Sequence, residues 1–295
     1  MFQSAAVTTE MHLEKTTNDR RQRRYRKLAA ASLIALLLGL FPAIHAFSLI
    51  ALAGQPQQHT ATKSKLAPMP ASKEQLMPFR TGETLNYRVS WSAFSNAASL
   101  QLSAPERRDI FGWHAWHFRG EAHTLSPVRS FITIDDQLDS YTDAFTLESR
   151  QYETHLNELG KSTNEIQRLT PTGQRSRAPA PIVMVLPGTR DPLGALYTLR
   201  GVDWQRTHEV RAPVYDGHNV LDMRAALESA GESVKVPAGA YMASRVSIRV
   251  FQNQKELDAI HLTMWIASDS ARTPVQMEAD LPFGSLRAEL TSATE

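Results

Sequence analysis

From residue 83 onward the chain alternates. In ETLNYRVSW at 83–91, Leu85, Tyr87, Val89 and Trp91 take every second position, with Thr84, Asn86, Arg88 and Ser90 between them. Successive side chains of a strand point to opposite faces, whereas apolar residues of a helix recur every three or four. The pattern therefore predicts a half-buried strand. It returns in Trp116, Phe118, Gly120 and Ala122, and in Leu221, Met223, Ala225 and Leu227. Val246, Ile248 and Val250 repeat it, as do Ile260, Leu262, Met264 and Ile266, then Val275, Met277 and Ala279, and finally Leu286, Ala288 and Leu290.

Turn residues punctuate these runs. Asp216-Gly217 separates segments near 207–214 and 219–228, and Pro237-Ala238-Gly239 separates Val234–Val236 from Tyr241 onward. Glycine supplies the positive φ that tight hairpins require. About twelve short segments joined in this way predict a mainly β domain, an antiparallel curved sheet or open barrel. One helix is expected near 192–200, within DPLGALYTLRG. Asp191 suits the N-cap, Pro192 the first helical position and Gly201 the residue after the end. Leu193, Leu196, Tyr197 and Leu199 form its apolar stripe, and a lone helix of this kind is expected on an open end or edge of the sheet. The stretch 170–181 reads as a loop.

The N-terminal quarter differs. Residues 28–53 hold no Asp, Glu, Lys or Arg, and Leu28 to Ala53 is almost wholly apolar. About 20 such residues suffice to span a hydrocarbon core as a helix, and one proline (Pro42) is tolerated there. Arg20, Arg21, Arg23, Arg24, Arg26 and Lys27 stand directly before it and predict a cytoplasmic N-terminus with the rest of the chain outside. Two outcomes follow: an uncleaved signal anchor, which the length favours, or a long signal peptide removed near Ala53. A twin-arginine match in this cluster has little specificity. Residues 54–78, rich in Pro, Gln, Ser, Thr, Ala and Lys, read as a disordered, semi-extended linker. The expected organisation is a basic cytoplasmic tail at 1–27, a membrane helix at 28–53, the linker at 54–78 and an all-β envelope domain at 79–295.

Charge follows the same division. The formal net charge of +2 combines +4 in the tail, +2 in the linker and −4 in 79–295, where 26 acidic residues face 22 basic ones. A nucleic-acid partner calls for a basic folded surface, so none is expected. The 295 residues contain no Cys, which excludes disulfides, thiolate metal sites, cysteine nucleophiles and an acylated-cysteine anchor. A hydrophobic share of 42% is ample for a core.

Candidate chemistry is sparse. His117, Glu121 and His123 share one strand face and are acceptable zinc ligands, while His114 faces the other way. Arg119 lies on the same face and the spacing fits no common zinc pattern, so a solvent-facing polar stripe is expected, with no metal or other cofactor. Asp135, Asp136, Asp139 and Asp143 crowd into IDDQLDSYTD but miss the EF-hand positions. As an acid/base pair, Asp135 and Asp136 are the candidates; as turn residues they need no function. No catalytic Ser, metalloprotease, P-loop or dinucleotide motif appears. Of the five tryptophans, Trp91 and Trp116 fall on apolar faces. Trp265 falls opposite Ile260–Ile266 and is the better ligand-face candidate.

Six segments in one order carry a resemblance: GETLNYRVSW at 82–91, DDQLDSYTD at 135–143, DPLGALYTLRG at 191–201, VKVPAGAY at 234–241, WIASDSARTPVQME at 265–278 and FGSLRAEL at 283–290. Over about 79–292 the chain resembles the bacterial exported family known as domain of unknown function 3108. The resemblance implies an exported all-β envelope domain and brings no reaction, cofactor or catalytic residue.

The expected function is that of a single-pass inner-membrane protein with its C-terminal domain in the periplasm, binding an amphipathic or glycan-like ligand, a lipid, or an envelope protein without catalysis. The alternatives are a hydrolase of envelope polymers using Asp135/Asp136 or the His117 stripe, and an assembly scaffold. Trp265, Asp135 and Asp136 are the ligand-face candidates.

Overall fold

The computed structural model describes residues 77–257, 261–281 and 284–294. The basic tail, the apolar run 28–53 and the linker up to residue 76 lie outside these residues, so the anchor is not among them. Within them no helix is long and apolar enough to cross a membrane.

Among the described residues fourteen strands form one sheet: β1 Glu83–Trp91, β2 Phe94–Ile110, β3 Trp113–Thr124, β4 Asp135–Asp143, β5 Ser149–Glu158, β6 Lys161–Pro171 and β7 Ile182–Val185 in the first half. Helix α1, Pro192–Gly201, follows. The second half comprises β8 Glu209–Tyr215, β9 Val220–Val236, β10 Gly239–Gln252, β11 Lys255–Glu256, β12 His261–Ala267, β13 Pro274–Leu281 and β14 Gly284–Thr294. The lateral order is β7-β6-β5-β4-β3-β2-β1-β14-β13-β12-β10-β9-β8, with β11 paired to β10. The chain thus makes two meanders joined where β1 pairs with β14 (Val89 opposite Ala288).

The alternation converts into burial. Leu85, Tyr87, Val89, Leu221, Met223, Ala225, Val246, Ile248, Val250, Leu262, Met264, Ile266, Val275, Met277, Ala279, Leu286, Ala288 and Leu290 are all buried. Both predicted turns form. Asp216 Oδ1 accepts from the amides of His218 and Asn219 at 2.7 and 2.6 Å, and Gly217 has φ of 105°. Gly239 opens β10 with φ of 145°. One pairing departs from the antiparallel expectation: β7 runs parallel to β6 after the 172–181 loop. That connection is long enough to carry the chain back to the start of the edge, which a hairpin cannot do.

The two sheet edges meet. The residue after β7's following turn, Arg190, bridges β8 in parallel, its amide donating to Pro213 O at 3.0 Å and its carbonyl accepting from Tyr215 N at 2.7 Å. Gln167 of β6 adds a side-chain bond to Gly217 O at 2.7 Å. Pro213 lacks an N–H and is suited to an edge strand. The result is a nearly closed, barrel-like sheet.

The helix does not sit on an open end or edge. Pro192 to Tyr197, Leu199 and Arg200 are all buried, so α1 fills the concave interior. The expected apolar stripe accounts for only one side of it. The rest is buried because the sheet wraps around the helix. Asp191 is the N-cap, accepting from Gly194 N at 2.9 Å. Gly201 is the last helical residue, and Val202 caps the helix in an extended conformation. Tyr197 stacks on Phe118 of β3 with centroids 3.7 Å apart, and Phe79 packs edge-on to Trp116, Phe118 and Tyr197.

Both ends of α1 are tied to the sheet by buried polar groups. At the N-terminus Asp191 Oδ2 accepts from Ser140 Oγ of β4 and Ser149 Oγ of β5, each at 2.5 Å. At the C-terminus Arg200 pairs with Glu83 of β1 and donates to Ala271 O at 2.9 Å.

Candidate functional site on the outer face of β3 to β6

The outer face of β3–β6 is polar, and the register stacks its side chains in rows. His117, Tyr141, Gln151 and Arg168 form one row; Arg119, Asp139, Glu153 and Ile166 the next. Glu121, Gln137, His155 and Asn164 form the third. Directly opposite residues on one face lie close enough to bond, so the rows become a network. The histidine group of β3 and the aspartate group of β4, separate in the sequence, are cross-strand neighbours here: His117 and Arg119 reach Asp139, and His123 reaches Asp135.

Asp139 is the hub. Its Oδ1 bonds His117 Nε2 at 2.6 Å and accepts from Arg119 Nε at 2.8 Å, while Oδ2 accepts from Gln137 Nε2 at 2.5 Å. Burial pushes this carboxyl up, but the bonds from His117, Gln137 and Arg119 outweigh burial and hold it at about 2. His117 is not solvent-facing as its stripe position suggested. It is buried beneath its neighbours and stacks on Tyr141 with centroids 4.6 Å apart. The outer face is screened there because Tyr141 lies flat across it.

The remaining candidates separate. Asp135 and Asp136 point to opposite sides of β4. Asp135 faces outward, held by both nitrogens of Arg129 at 2.8 and 2.7 Å and by His123 Nδ1 at 3.1 Å, and the Arg129 guanidinium pulls its carboxyl below the usual range. Asp136 faces inward and accepts from Asn157 N at 3.0 Å. Its inner neighbour is Glu158, pushed up to about 8 by burial and by the adjoining Asp136 carboxyl. The two aspartates therefore do not converge on one bond. Asp143 caps its own turn, accepting from the amides of Phe145 and Thr146 at 3.0 Å.

Trp265 is half-buried on the outer side of β12, its Nε1 donating to Glu232 at 2.7 Å. It lies well away from the β3–β6 rows in the strand order. Trp116 is core, and Trp91 is half-buried beside Phe94 and Phe131.

A cleft of about 270 Å³ opens at the His123–Asp135 end of the rows, lined by Glu121, His123, Asp135, Gln137, His155 and Asn164 among others. Its lining mixes carboxylates, amides and imidazoles and contains no Lys or Arg. By contrast, the gap between α1 and β9, β10, β12 and β13 is apolar and about 20 Å³, roughly one water in size. A third hollow of about 190 Å³ lies beside Trp204, with Arg272 Nη1 donating to Gly201 O at 2.8 Å at its rim.

Sequence reasoning missed Glu153, His155 and Asn164. They alternate along β5 and β6 without a motif, and only the antiparallel register brings them beside Asp139 and Gln137.

Among solved structures, the chain is similar to a beta-barrel-like protein of domain of unknown function DUF1849 from Brucella abortus, at 12% identity and a TM-score of 0.46 over 72% of this chain and 96% of that one. It is also similar to a candidate exported protein with a YmcC-like fold from Bacteroides fragilis, at 11% identity and a TM-score of 0.32 over 74% and 98%. A candidate lipoprotein from Parabacteroides distasonis shows 11% identity and a TM-score of 0.35 over 74% and 97%. No curated protein matches the chain. The family model described as protein of unknown function (DUF3108) matches residues 86–291, and the chain belongs to that family.

Proposed function

We propose that the protein is a non-enzymatic binding module, held on the outer side of a membrane by the 28–53 span, and that it takes a polyhydroxyl, glycan-like ligand in the outer-face cleft. The observation that carries this reading is the contrast between the two spaces. The cleft offers about 270 Å³ with the polar side chains of Glu121, Gln137, His155 and Asn164 set beside Leu156, while the gap beside α1 holds about 20 Å³. A sugar hydroxyl both donates and accepts, and Gln137, Asn164, His155 and Glu121 supply the complementary groups. An amphipathic ligand would need an apolar pocket of several hundred Å³.

The location rests on sequence. Six cationic residues directly precede an uncharged apolar run, and a proline-bearing linker separates it from the β domain. The candidate acid/base pair Asp135 and Asp136 diverges across β4 and does not face one bond.

The test is calorimetric titration of the full-length chain with soluble fragments of envelope polysaccharides. Binding of at least one neutral oligosaccharide is expected, weakened ten-fold or more by Gln137→Ala combined with Asn164→Ala, at unchanged thermal stability. No binding to any fragment, or binding indifferent to the double substitution, would overturn the reading.

A further inference from the structure

We infer that Asp139, Glu153 and His155 form a binding site for a divalent transition cation of the zinc class, on the outer face and open to the cleft. One ligand atom from each of the three lies within 4.8 Å of the other two. His155 Nε2 stands 3.6 Å from Glu153 Oε2. Two ligands bound tetrahedrally at zinc distances are about 3.4 Å apart, so this edge already has coordination length and is too long for a hydrogen bond.

The orientation of His155 is the independent observation. Its Nδ1 lies 3.2 Å from Asn164 Oδ1, outside the triad, and its Nε2 is the nitrogen turned toward Glu153. An imidazole fixed by an outer acceptor at one nitrogen, with the other nitrogen aimed inward, is the arrangement of metal-bound histidines.

The carboxylates are likewise braced from outside the triad. Gln151 Nε2 donates to Glu153 Oε1 at 2.5 Å, leaving Oε2 turned toward His155. Gln137 holds Asp139 Oδ2, and His117 and Arg119 occupy Oδ1. Two carboxylates, Asp139 and Glu153, stand against the one guanidinium of Arg119.

The burial is graded. The Asp139 side chain is 3% exposed, that of Glu153 16% and that of His155 38%. The cation would rest on the sheet with its open side toward the cleft that His155 also lines. Three protein ligands and one open position describe an exchangeable zinc site, whereas closed structural sites use four. The site does not depend on what the cleft binds.

Metal-stripped full-length chain should be titrated with zinc sulfate by calorimetry and with cobalt(II) by visible absorption. One equivalent per chain is expected, with cobalt giving the intense bands of a tetrahedral site with nitrogen ligation. His155→Ala and Glu153→Gln should each lower affinity at least ten-fold, and Asn164→Ala by roughly 10- to 100-fold as an outer-shell change. His114→Ala, an exposed histidine on another row, should leave binding unchanged. Absence of stoichiometric binding by the wild-type chain would overturn the inference. So would undiminished binding by His155→Ala, or equal loss on His114→Ala.

Discussion

Arg200, at the C-terminal end of α1, places its guanidinium against the Glu83 carboxylate of β1, with Nη2 2.9 Å from Oε2 and both side chains sealed from solvent. Two residues 117 positions apart thus close the interior of the barrel. Breaking a buried pair leaves an uncompensated charge. We expect Arg200→Met or Glu83→Leu to cost about 3–5 kcal/mol. The joint replacement Arg200→Met with Glu83→Leu should recover much of that loss. Urea denaturation of the four chains gives the coupling, and additive losses would contradict the pairing.

The other end of the helix makes a matching prediction. Asp191 caps α1 and accepts from two serine hydroxyls on β4 and β5. Asp191→Ala removes a cap worth about 1 kcal/mol and strands two buried hydroxyls at about 1–3 kcal/mol each at most. We expect a net loss of at least about 3 kcal/mol, read by thermal unfolding, with Asp191→Asn retaining much of the cap.

Gly194 tests how closely the helix approaches the sheet. A Cβ there would meet Ser149 Oγ and Thr142 Cγ2, both at 3.0 Å. In an open helix Gly→Ala stabilises by about 1 kcal/mol. Here overpacking should reverse the sign, and Gly194→Ala is expected to lower the melting temperature.

Glu158 sets a pH dependence. Burial and the adjoining Asp136 carboxyl raise its folded pKa from 4.5 to about 8. The folded state therefore holds a proton that the unfolded chain has released. Its contribution is fully present below about pH 4.5 and is lost as pH rises toward 8, with a slope of at most about 1.4 kcal/mol per pH unit. Glu158→Gln keeps the group neutral, so the substituted chain should lose less stability between pH 5 and 8. Identical pH profiles would contradict the assignment.

How much of this was legible in the sequence depends on the interaction range. The strands were legible because alternation is local, as with Leu85, Tyr87 and Val89. The N-cap was legible because Asp191 precedes Pro192 and accepts from Gly194, three residues on. The helix position was not, because Arg200 looks like an ordinary C-terminal cation until Glu83 is brought against it. The outer-face network was half visible. His117 and Asp139 were singled out separately, but their contact follows from the β3–β4 register, which no local pattern encodes. Glu153 and His155 carried no signal at all until β5 was laid beside β4. Asp135 and Asp136, adjacent in sequence, are separated by the same alternation that identified the strands.

The central claim is that the polar face of β3–β6 binds ligand and the helix-filled interior does not. Hydrogen–deuterium exchange of the full-length chain, with and without a saturating neutral oligosaccharide, tests it most directly. Protection is expected in peptides covering 119–123, 135–139 and 153–164, with none gained over 192–201 or 262–277. Protection confined to α1 and its β9–β13 surroundings would contradict the account and return the ligand to the interior.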